Sequence, residues 1–127
     1  MILADTDVLI DYLAGVQPAV DRIATYAAAD QVQTSAINCF ELMSGATKDR
    51  RGERIRQFLA LLPVLPFDRT AAERAAEIRR DLEATGRPIG MGDSLIAGIA
   101  LANNLALLTR NRTHFERVKD LRLADFG

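Results

Sequence analysis

The chain of 127 residues lacks tryptophan, has only 6% aromatic residues, and contains one histidine and one cysteine. The single cysteine, Cys39, excludes a disulfide within the chain and is typical of proteins from a reducing compartment. No stretch approaches the ~18 consecutive apolar residues of a membrane-spanning helix. The first eleven residues carry three Asp and no Lys or Arg, unlike the basic start of a secretory signal. We therefore expect one cytoplasmic domain over residues 1–127, without membrane contact.

The composition is that of a folded globular domain. Apolar residues make up 49% and charged residues 26%, and the scarcity of aromatics means that Leu, Ile, Val and Ala must form the core. The net charge of −1 is unevenly distributed, because residues 1–45 carry a net −5 and residues 46–127 carry +4. Basic residues concentrate in 48–56 and 110–122. These runs are either solvated helix faces or a rim that contacts phosphates beside an acidic centre.

Apolar spacing predicts strands that alternate with helices along the chain. Ser35 suits the N-cap of one helix, and Gly45 and Gly86 suit helix ends. The alternation predicts an α/β fold, a three-layer α/β/α sandwich with a mainly parallel central sheet. The predicted strands span residues 1–4, 32–34, 64–67, 105–109 and 122–124, and the predicted helices span residues 7–13, 18–29, 36–44, 51–62, 70–85 and 92–104.

Two polar side chains come directly after predicted strands. Asp5 ends the first strand, and Asn111 lies just past the strand at 105–109. In open α/β sheets, sites form outside the carboxyl ends of the strands. The sequence therefore predicts that the chemistry of this chain takes place at the edge of the sheet where the carboxyl ends of the strands lie.

Asp5 and Asp93 are two candidates for such a site, and each also has a purely structural interpretation. Asp5 would cap the helix that follows it, although Asp7 suits that cap role as well or better. Asp93 opens an almost entirely apolar helix, where capping and the helix dipole both favour an Asp in the first turn. These interpretations stay open at the level of sequence.

Glu41 is the third candidate. It follows Ile37 and Phe40, which define the predicted apolar stripe of its helix. A carboxylate beside that stripe is costly unless it is paired or binds a metal, whereas a Glu at the rim would reach water. Clustered carboxylates suit Mg²⁺ or Mn²⁺. Such an ion can generate a nucleophilic hydroxide and neutralise the charge that develops on a phosphoryl group. Metal-dependent phosphoryl chemistry is therefore one prediction.

Four short segments, in order from Asp5 to Phe115, carry a family resemblance. They are Asp-Thr-Asp-Val-Leu-Ile-Asp at 5–11, Thr-Ser-Ala-Ile with a later Glu-Leu and Gly within 34–45, Gly-Asp-Ser-Leu-Ile-Ala at 92–97, and Leu-Leu-Thr-Arg-Asn with a later Phe within 107–115. Each segment alone is weakly specific, but all four in order are strongly specific. Through them the whole chain resembles the PIN-domain family and, within it, the VapC toxins of bacterial toxin–antitoxin pairs.

The resemblance implies that Asp5, Glu41 and Asp93 are catalytic acids that bind Mg²⁺ (or Mn²⁺). Asn111 occupies a position that is often acidic in the wider superfamily. An amide coordinates through its carbonyl oxygen but adds no charge, so one metal position is expected and a second is left open.

Other residues take supporting roles by the same resemblance. Thr6 and Thr109 lie beside the acids and would hydrogen-bond them or a bound water. Asp7 stands where the family often has Asn or Ser, and Asp11 is interpreted as an exposed helix carboxylate. The basic residues expected to form an RNA-binding rim are Arg110, Arg112, Arg50 and Arg51.

The function that the resemblance implies is hydrolysis of RNA phosphodiester bonds by a metal-dependent endoribonuclease toxin, leaving 5′-phosphate and 3′-hydroxyl ends. It also implies a homodimer and a cognate antitoxin that covers or enters the acidic cleft, where a basic segment would be complementary. The departure at Asn111 motivates an alternative, a non-cleaving protein of this fold that acts inside a protein–DNA regulatory complex.

A haloacid-dehalogenase-like phosphatase is a minor alternative. Asp5 and Asp7 match the D-x-D start of that family. However, no second acid follows closely after Asp93, and no lysine lies between Lys48 and Lys119 to bind the phosphate.

The segment at 92–95 also spells the Gly-Asp-Ser-Leu of a serine-esterase family. Its Ser94 would need a base, and the only histidine, His114, has no partnering Asp at the expected place. We interpret His114 as a surface or RNA-rim residue and Cys39 as a small buried hydrophobe.

Overall fold

The computed structural model describes all 127 residues and contains four strands and seven helices. The elements are β1 (Ile2–Ala4), α1 (Thr6–Leu13), α2 (Ala19–Ala28), β2 (Val32–Ser35), α3 (Ala36–Ser44), α4 (Arg50–Leu59), β3 (Val64–Leu65), α5 (Arg69–Ala84), α6 (Met91–Ala102), β4 (Ala106–Leu108) and α7 (Arg112–Phe115).

The four strands form one parallel sheet in the order β3-β2-β1-β4. The central strand β1 pairs Ile2 with Val32 on one side and with Ala106 on the other. Because all strands run the same way, the carboxyl ends of β1, β2 and β4 meet at one edge of the sheet. The residues that follow these strands are therefore brought together.

Helices cover both faces of the sheet. Side chains alternate along β1, so Ile2 and Ala4 face one apolar cluster while Leu3 faces another. The first cluster packs α1, α2 and α4 against the sheet, and the second packs α5 and α6 against its other face. The predicted α/β/α sandwich with a parallel sheet is confirmed.

A glycine allows the two helices of the second layer to approach closely. A Cβ at Gly98 would lie 2.7 Å from the backbone oxygen of Ala71 and 2.8 Å from the Cβ of Ala75. Because α6 rests against α5 at this point, the first turn of α6 is held in place at the edge of the sheet.

Several details of the predicted elements are wrong. Residues 122–124 do not form a strand, since only an isolated bridge joins Leu123 to Leu107, and the short helix α7 was not predicted. Helix α6 begins at Met91, before Gly92 and Asp93, and α4 ends at Leu59 rather than at residue 62. The errors in α4 and α6 lie at element ends, and the missed α7 and the wrongly predicted strand are each only three or four residues long, where apolar periodicity carries little information.

Two predictions about individual side chains also fail. Phe40 is 69% exposed, because the buried residues of α3 are Asn38 and Leu42, so the apolar stripe is turned away from Phe40. Asp5, rather than Asp7, is the N-cap of α1. The predicted N-cap Ser35 is confirmed, since its hydroxyl accepts a hydrogen bond from the backbone N–H of Asn38.

None of the helices combines the length and the hydrophobicity needed to cross a bilayer.

Candidate active site

Asp5 lies where β1 passes into α1, and the residue is only 6% exposed. Its Oδ1 accepts hydrogen bonds from the backbone N–H of Thr6 at 2.8 Å and from Asn38 Nδ2 at 3.0 Å. Its Oδ2 accepts a hydrogen bond from the Thr109 hydroxyl at 2.7 Å. A carboxylate has about four acceptor positions, so three of them are occupied and one position on Oδ2 stays free.

The pKa of Asp5 is raised from 3.8 to about 6. The largest cause is burial, which disfavours the charged carboxylate. The hydrogen bonds from Thr109 and Thr6 lower the pKa, and the charges of Asp7 and Asp93 raise it further. The edge of the sheet therefore concentrates negative charge around a buried acid that a cation would stabilise.

Glu41 is exposed on α3 and reaches the Asp5 neighbourhood through a threonine. The Thr6 hydroxyl donates to Glu41 Oε1 at 2.6 Å and accepts a hydrogen bond from Asn38 Nδ2 at 2.9 Å. A Cβ at Gly92 would lie 3.4 Å from Glu41 Oε2, so the start of α6 runs past this carboxylate. Glu41 therefore reaches water at the rim, with one carboxylate oxygen bonded to Thr6.

Asp93 is half-buried in the first turn of α6. Its Oδ2 accepts a hydrogen bond from Asn111 Nδ2 at 3.2 Å and lies 3.4 Å from His114 Nδ1. Asn111 Nδ2 also lies 2.9 Å from His114 Nδ1. The loop after β4 and the helix α7 thus bring an amide and an imidazole to Asp93.

Asp7 lies beside Asp5 and is bound on one oxygen only. Its Oδ2 accepts a hydrogen bond from the backbone N–H of Arg110 at 3.1 Å, while its Oδ1 is buried without a partner. Burial raises the pKa of Asp7, and the N–H and the charge of Arg110 partly oppose this. Asp11 is not the exposed helix carboxylate that was expected, because its side chain is only 18% exposed and forms a 2.9 Å ion pair with Arg110.

The donor set at this edge fits a hard divalent cation. It consists of carboxylate oxygens, with a free acceptor position on Asp5 and an unpartnered buried oxygen on Asp7. No three His, Cys, Asp or Glu side chains lie close enough together to ligate one ion as they stand. Of the acids at this edge, Glu41 is exposed and Asp93 is half-buried, whereas Asp5 is buried.

The four basic residues of the expected RNA rim are placed differently. Arg110 is next to the acids through its contacts with Asp7 and Asp11. Arg112 points to the C-terminal segment, where it donates to the Ala124 carbonyl at 2.9 Å. Arg50 and Arg51 are exposed at the start of α4. Arg110 is therefore the rim residue that the structure brings to the acids.

Sequence reasoning missed two residues of this neighbourhood. Asn38 is fully buried and bonds Asp5, and His114 lies against Asp93 although it was interpreted as a surface or rim residue. The only signal for Asn38 was its position three residues after the N-cap Ser35. The esterase alternative finds no support, because the Ser94 hydroxyl donates to the Gly90 carbonyl and not to His114.

The comparisons with known proteins agree with this geometry. The family model for the PIN domain matches residues 2–121. The tRNA(fMet)-specific endonuclease VapC of Shigella flexneri is 38% identical over 97 residues, which cover 73% of this chain and 74% of that protein. Ribonuclease VapC10 of Mycobacterium tuberculosis is 34% identical over 122 residues, covering 96% and 91% respectively.

Solved structures show the same architecture. The DNA-bound VapBC complex of Salmonella typhimurium contains a chain that is 30% identical and superposes with a TM-score of 0.85, with each chain covered in full. VapBC2 of Rickettsia felis, bound to a DNA fragment from its promoter, contains a chain that is 28% identical with a TM-score of 0.84, each chain covered to 98%. The chain therefore belongs to the PIN-domain family. Its relatives are VapC ribonucleases. Because the family match spans residues 2–121, it outweighs the short D-x-D motif on which the phosphatase alternative rested.

Proposed function

We propose that this chain is a metal-dependent endoribonuclease, the toxin of a toxin–antitoxin pair. The observation that carries the proposal is the buried Asp5, held at the carboxyl edge of the sheet and linked through Asn38 and Thr6 to Glu41. The relatives named as ribonucleases supply the substrate class. We place its activity in the cytoplasm, where its RNA substrate is found.

Asp5, Glu41 and Asp93 would hold the cation, which we propose to be Mg²⁺ or Mn²⁺. When bound, such an ion lowers the pKa of a water and neutralises charge developing on a phosphoryl group. The protein itself supplies orientation, because Thr109 and Asn38 fix the two oxygens of Asp5. Arg110, adjacent to the acids, would contact the RNA backbone once its ion pair with Asp11 opens. The products expected are 5′-phosphate and 3′-hydroxyl ends.

An antitoxin partner follows from the same comparisons, since the structural neighbours are VapBC complexes. The carboxylates of Asp5, Asp7, Glu41 and Asp93 give this edge a negative charge that only Arg110 opposes. A basic segment of the antitoxin would be complementary to the cleft and would block RNA there. The homodimer implied by the family resemblance is part of the proposal, and light scattering after size exclusion tests it.

RNA cleavage by the purified chain, free of antitoxin, tests the function. We expect cleavage that requires Mg²⁺ or Mn²⁺ and that falls by about 10³-fold or more in Asp5→Asn and Asp93→Asn, because each loses a charged ligand. Asp81→Asn is the matched control, since Asp81 is exposed on α5 and contacts none of the acids. Metal-stimulated cleavage that survived in folded Asp5→Asn or Asp93→Asn would contradict the proposal.

The structural neighbours that were solved in complex with DNA favour a second function, a role inside a regulatory protein–DNA complex. The net charge of this chain is −1, so the antitoxin would supply the DNA contacts. Gel-shift assays on the DNA upstream of its own gene test this role, with the chain alone and with its antitoxin. Absence of cleavage across a broad RNA panel with metal, together with a shift that requires both proteins, would favour this role over catalysis.

A further inference from the structure

Asn38 is a polar side chain in a position where an apolar one would be expected. The residue is completely buried on α3, between the sheet and the acidic edge. An amide buried without hydrogen bonds is unfavourable, so a buried Asn is tolerated only when its donors and its acceptor are bonded. The contacts of Asn38 therefore show what this amide does.

The orientation of the amide is fixed by Ser35. Ser35, the N-cap of α3, donates its hydroxyl to Asn38 Oδ1 at 2.5 Å and accepts from the backbone N–H of Asn38 at 3.2 Å. Because Oδ1 is held by Ser35, the two N–H groups of Nδ2 must point the other way. There they meet Asp5 Oδ1 at 3.0 Å and Thr6 Oγ1 at 2.9 Å.

The same amide reaches a second acid through Thr6. The Thr6 hydroxyl accepts a hydrogen bond from Asn38 Nδ2 and donates one to Glu41 Oε1 at 2.6 Å. Asn38 thus sets the direction of a hydrogen-bond chain that ends on two of the three acids. With Oδ1 of Asp5 occupied by Asn38 and the Thr6 N–H, the free acceptor position of this carboxylate lies on Oδ2.

We propose that Asn38 is a positioning residue, which fixes Asp5 directly and Glu41 through Thr6 for binding of a divalent cation. The proposal rests on the function proposed above. An amide suits this role because it donates two hydrogen bonds without bringing a charge. A Lys or Arg in its place would hold Asp5 equally well but would repel the cation. Partners that orient metal ligands change metal affinity or activity by about 10–100-fold when they are removed.

Binding of Mn²⁺ to the purified chain, followed by electron paramagnetic resonance of the free ion, tests the proposal without any RNA. In Asn38→Leu, which keeps the branched shape and removes the donors, we expect the Kd for Mn²⁺ to rise by about 10–100-fold. Thr34→Val is the matched control. Thr34 is also completely buried, and its hydroxyl donates to the Ala4 carbonyl without reaching an acid. We expect its Kd for Mn²⁺ to stay within about threefold of the wild-type value.

A Kd in folded Asn38→Leu within threefold of wild type, or an equal loss in Thr34→Val, would overturn the proposal. If Asn38→Leu fails to fold by circular dichroism, Asn38→Ala decides by the same two thresholds. The outcomes separate this proposal from the function. Weakened Mn²⁺ binding in a chain that cleaves no RNA would support the role of Asn38 and contradict the nuclease. RNA cleavage by a wild-type chain that binds no Mn²⁺ would overturn the role of Asn38 and would show a nuclease that does not depend on this ion.

Discussion

Asp5 and Asp93 lie at the same edge of the sheet, but the protein holds them in opposite ways. Asp5 is 6% exposed and accepts three hydrogen bonds, from Thr6, Asn38 and Thr109. The Asp93 side chain is 24% exposed and accepts one hydrogen bond from an amide, with an imidazole at 3.4 Å. One acid is fixed and desolvated, and the other remains partly in water.

This difference indicates that Asp5 and Asp93 have different roles in the site. Fixing Asp5 would preorganise the proposed ligand, because its orientation is already determined before any cation arrives. The half-buried Asp93 is held by fewer hydrogen bonds, which suits a site whose acids do not yet converge on one point. The fixed acid is obtained at the expense of stability, since burial disfavours its charged form.

The stability of the metal-free chain should therefore depend on pH through Asp5. Below pH 3.8 this carboxyl is protonated in both the folded and the unfolded chain. Between pH 3.8 and about 6 the unfolded chain has released the proton while the folded chain keeps it, so the free energy of unfolding falls as pH rises. Above pH 6 the loss is complete and amounts to about 3 kcal/mol. Urea unfolding in EDTA between pH 4 and 7.5 measures it.

Asp5→Asn removes this titration, so we expect the variant to be inactive but more stable than wild type at pH 7.5 in EDTA, by up to about 3 kcal/mol. Asp93→Asn is the comparison, because it removes the same charge from the acid that remains partly in water. It should largely keep the pH profile of wild type. If the free energy of unfolding depended on pH in the same way in wild type and in Asp5→Asn, the titration of Asp5 would not be the cause of that dependence.

The sequence carried enough information to predict the sheet, its flanking helices and the edge at which Asp5 lies. These features follow from local apolar spacing and from the rule that parallel strands end together. The hydrogen bonds that distinguish Asp5 from Asp93 were not predictable, because they join residues far apart in the chain. Asn38 is 33 residues from Asp5, and His114 is 21 residues from Asp93. The pairing of β1 with β2 brings Asn38 to Asp5, and the position of α7 beside the first turn of α6 brings His114 to Asp93.

Asn111→Asp should place a second carboxylate next to Asp93. The amide nitrogen of Asn111 lies 3.2 Å from Asp93 Oδ2, so the new carboxylate would face an existing one. We expect the Kd for Mn²⁺ to fall by about tenfold, and the metal-free chain to lose about 1 kcal/mol of stability through repulsion. Electron paramagnetic resonance titration and urea unfolding in EDTA measure the two effects.

Asn103→Asp is the matched control for that substitution. Asn103 ends α6 and donates its side-chain amide to the Ile99 carbonyl, away from the acids. Its replacement should leave Mn²⁺ binding unchanged. Metal affinity that did not increase in Asn111→Asp would indicate that position 111 does not face the cation, and the amide would then serve only to hold Asp93.

His114→Ala should have the smallest effect, because the contacts it removes are accessible to water. The His114 side chain is 45% exposed, and its Nδ1 lies 3.4 Å from Asp93 Oδ2 and 2.9 Å from Asn111 Nδ2. Contacts between groups this accessible to water contribute about 0–1 kcal/mol. We therefore expect the Kd for Mn²⁺ to change by no more than about threefold to fivefold, measured beside Thr113→Ala, an exposed neighbour on α7. A loss in His114→Ala as large as that expected for Asn38→Leu would mean that Asp93 is held as firmly as Asp5, and the contrast between the two acids would then be wrong.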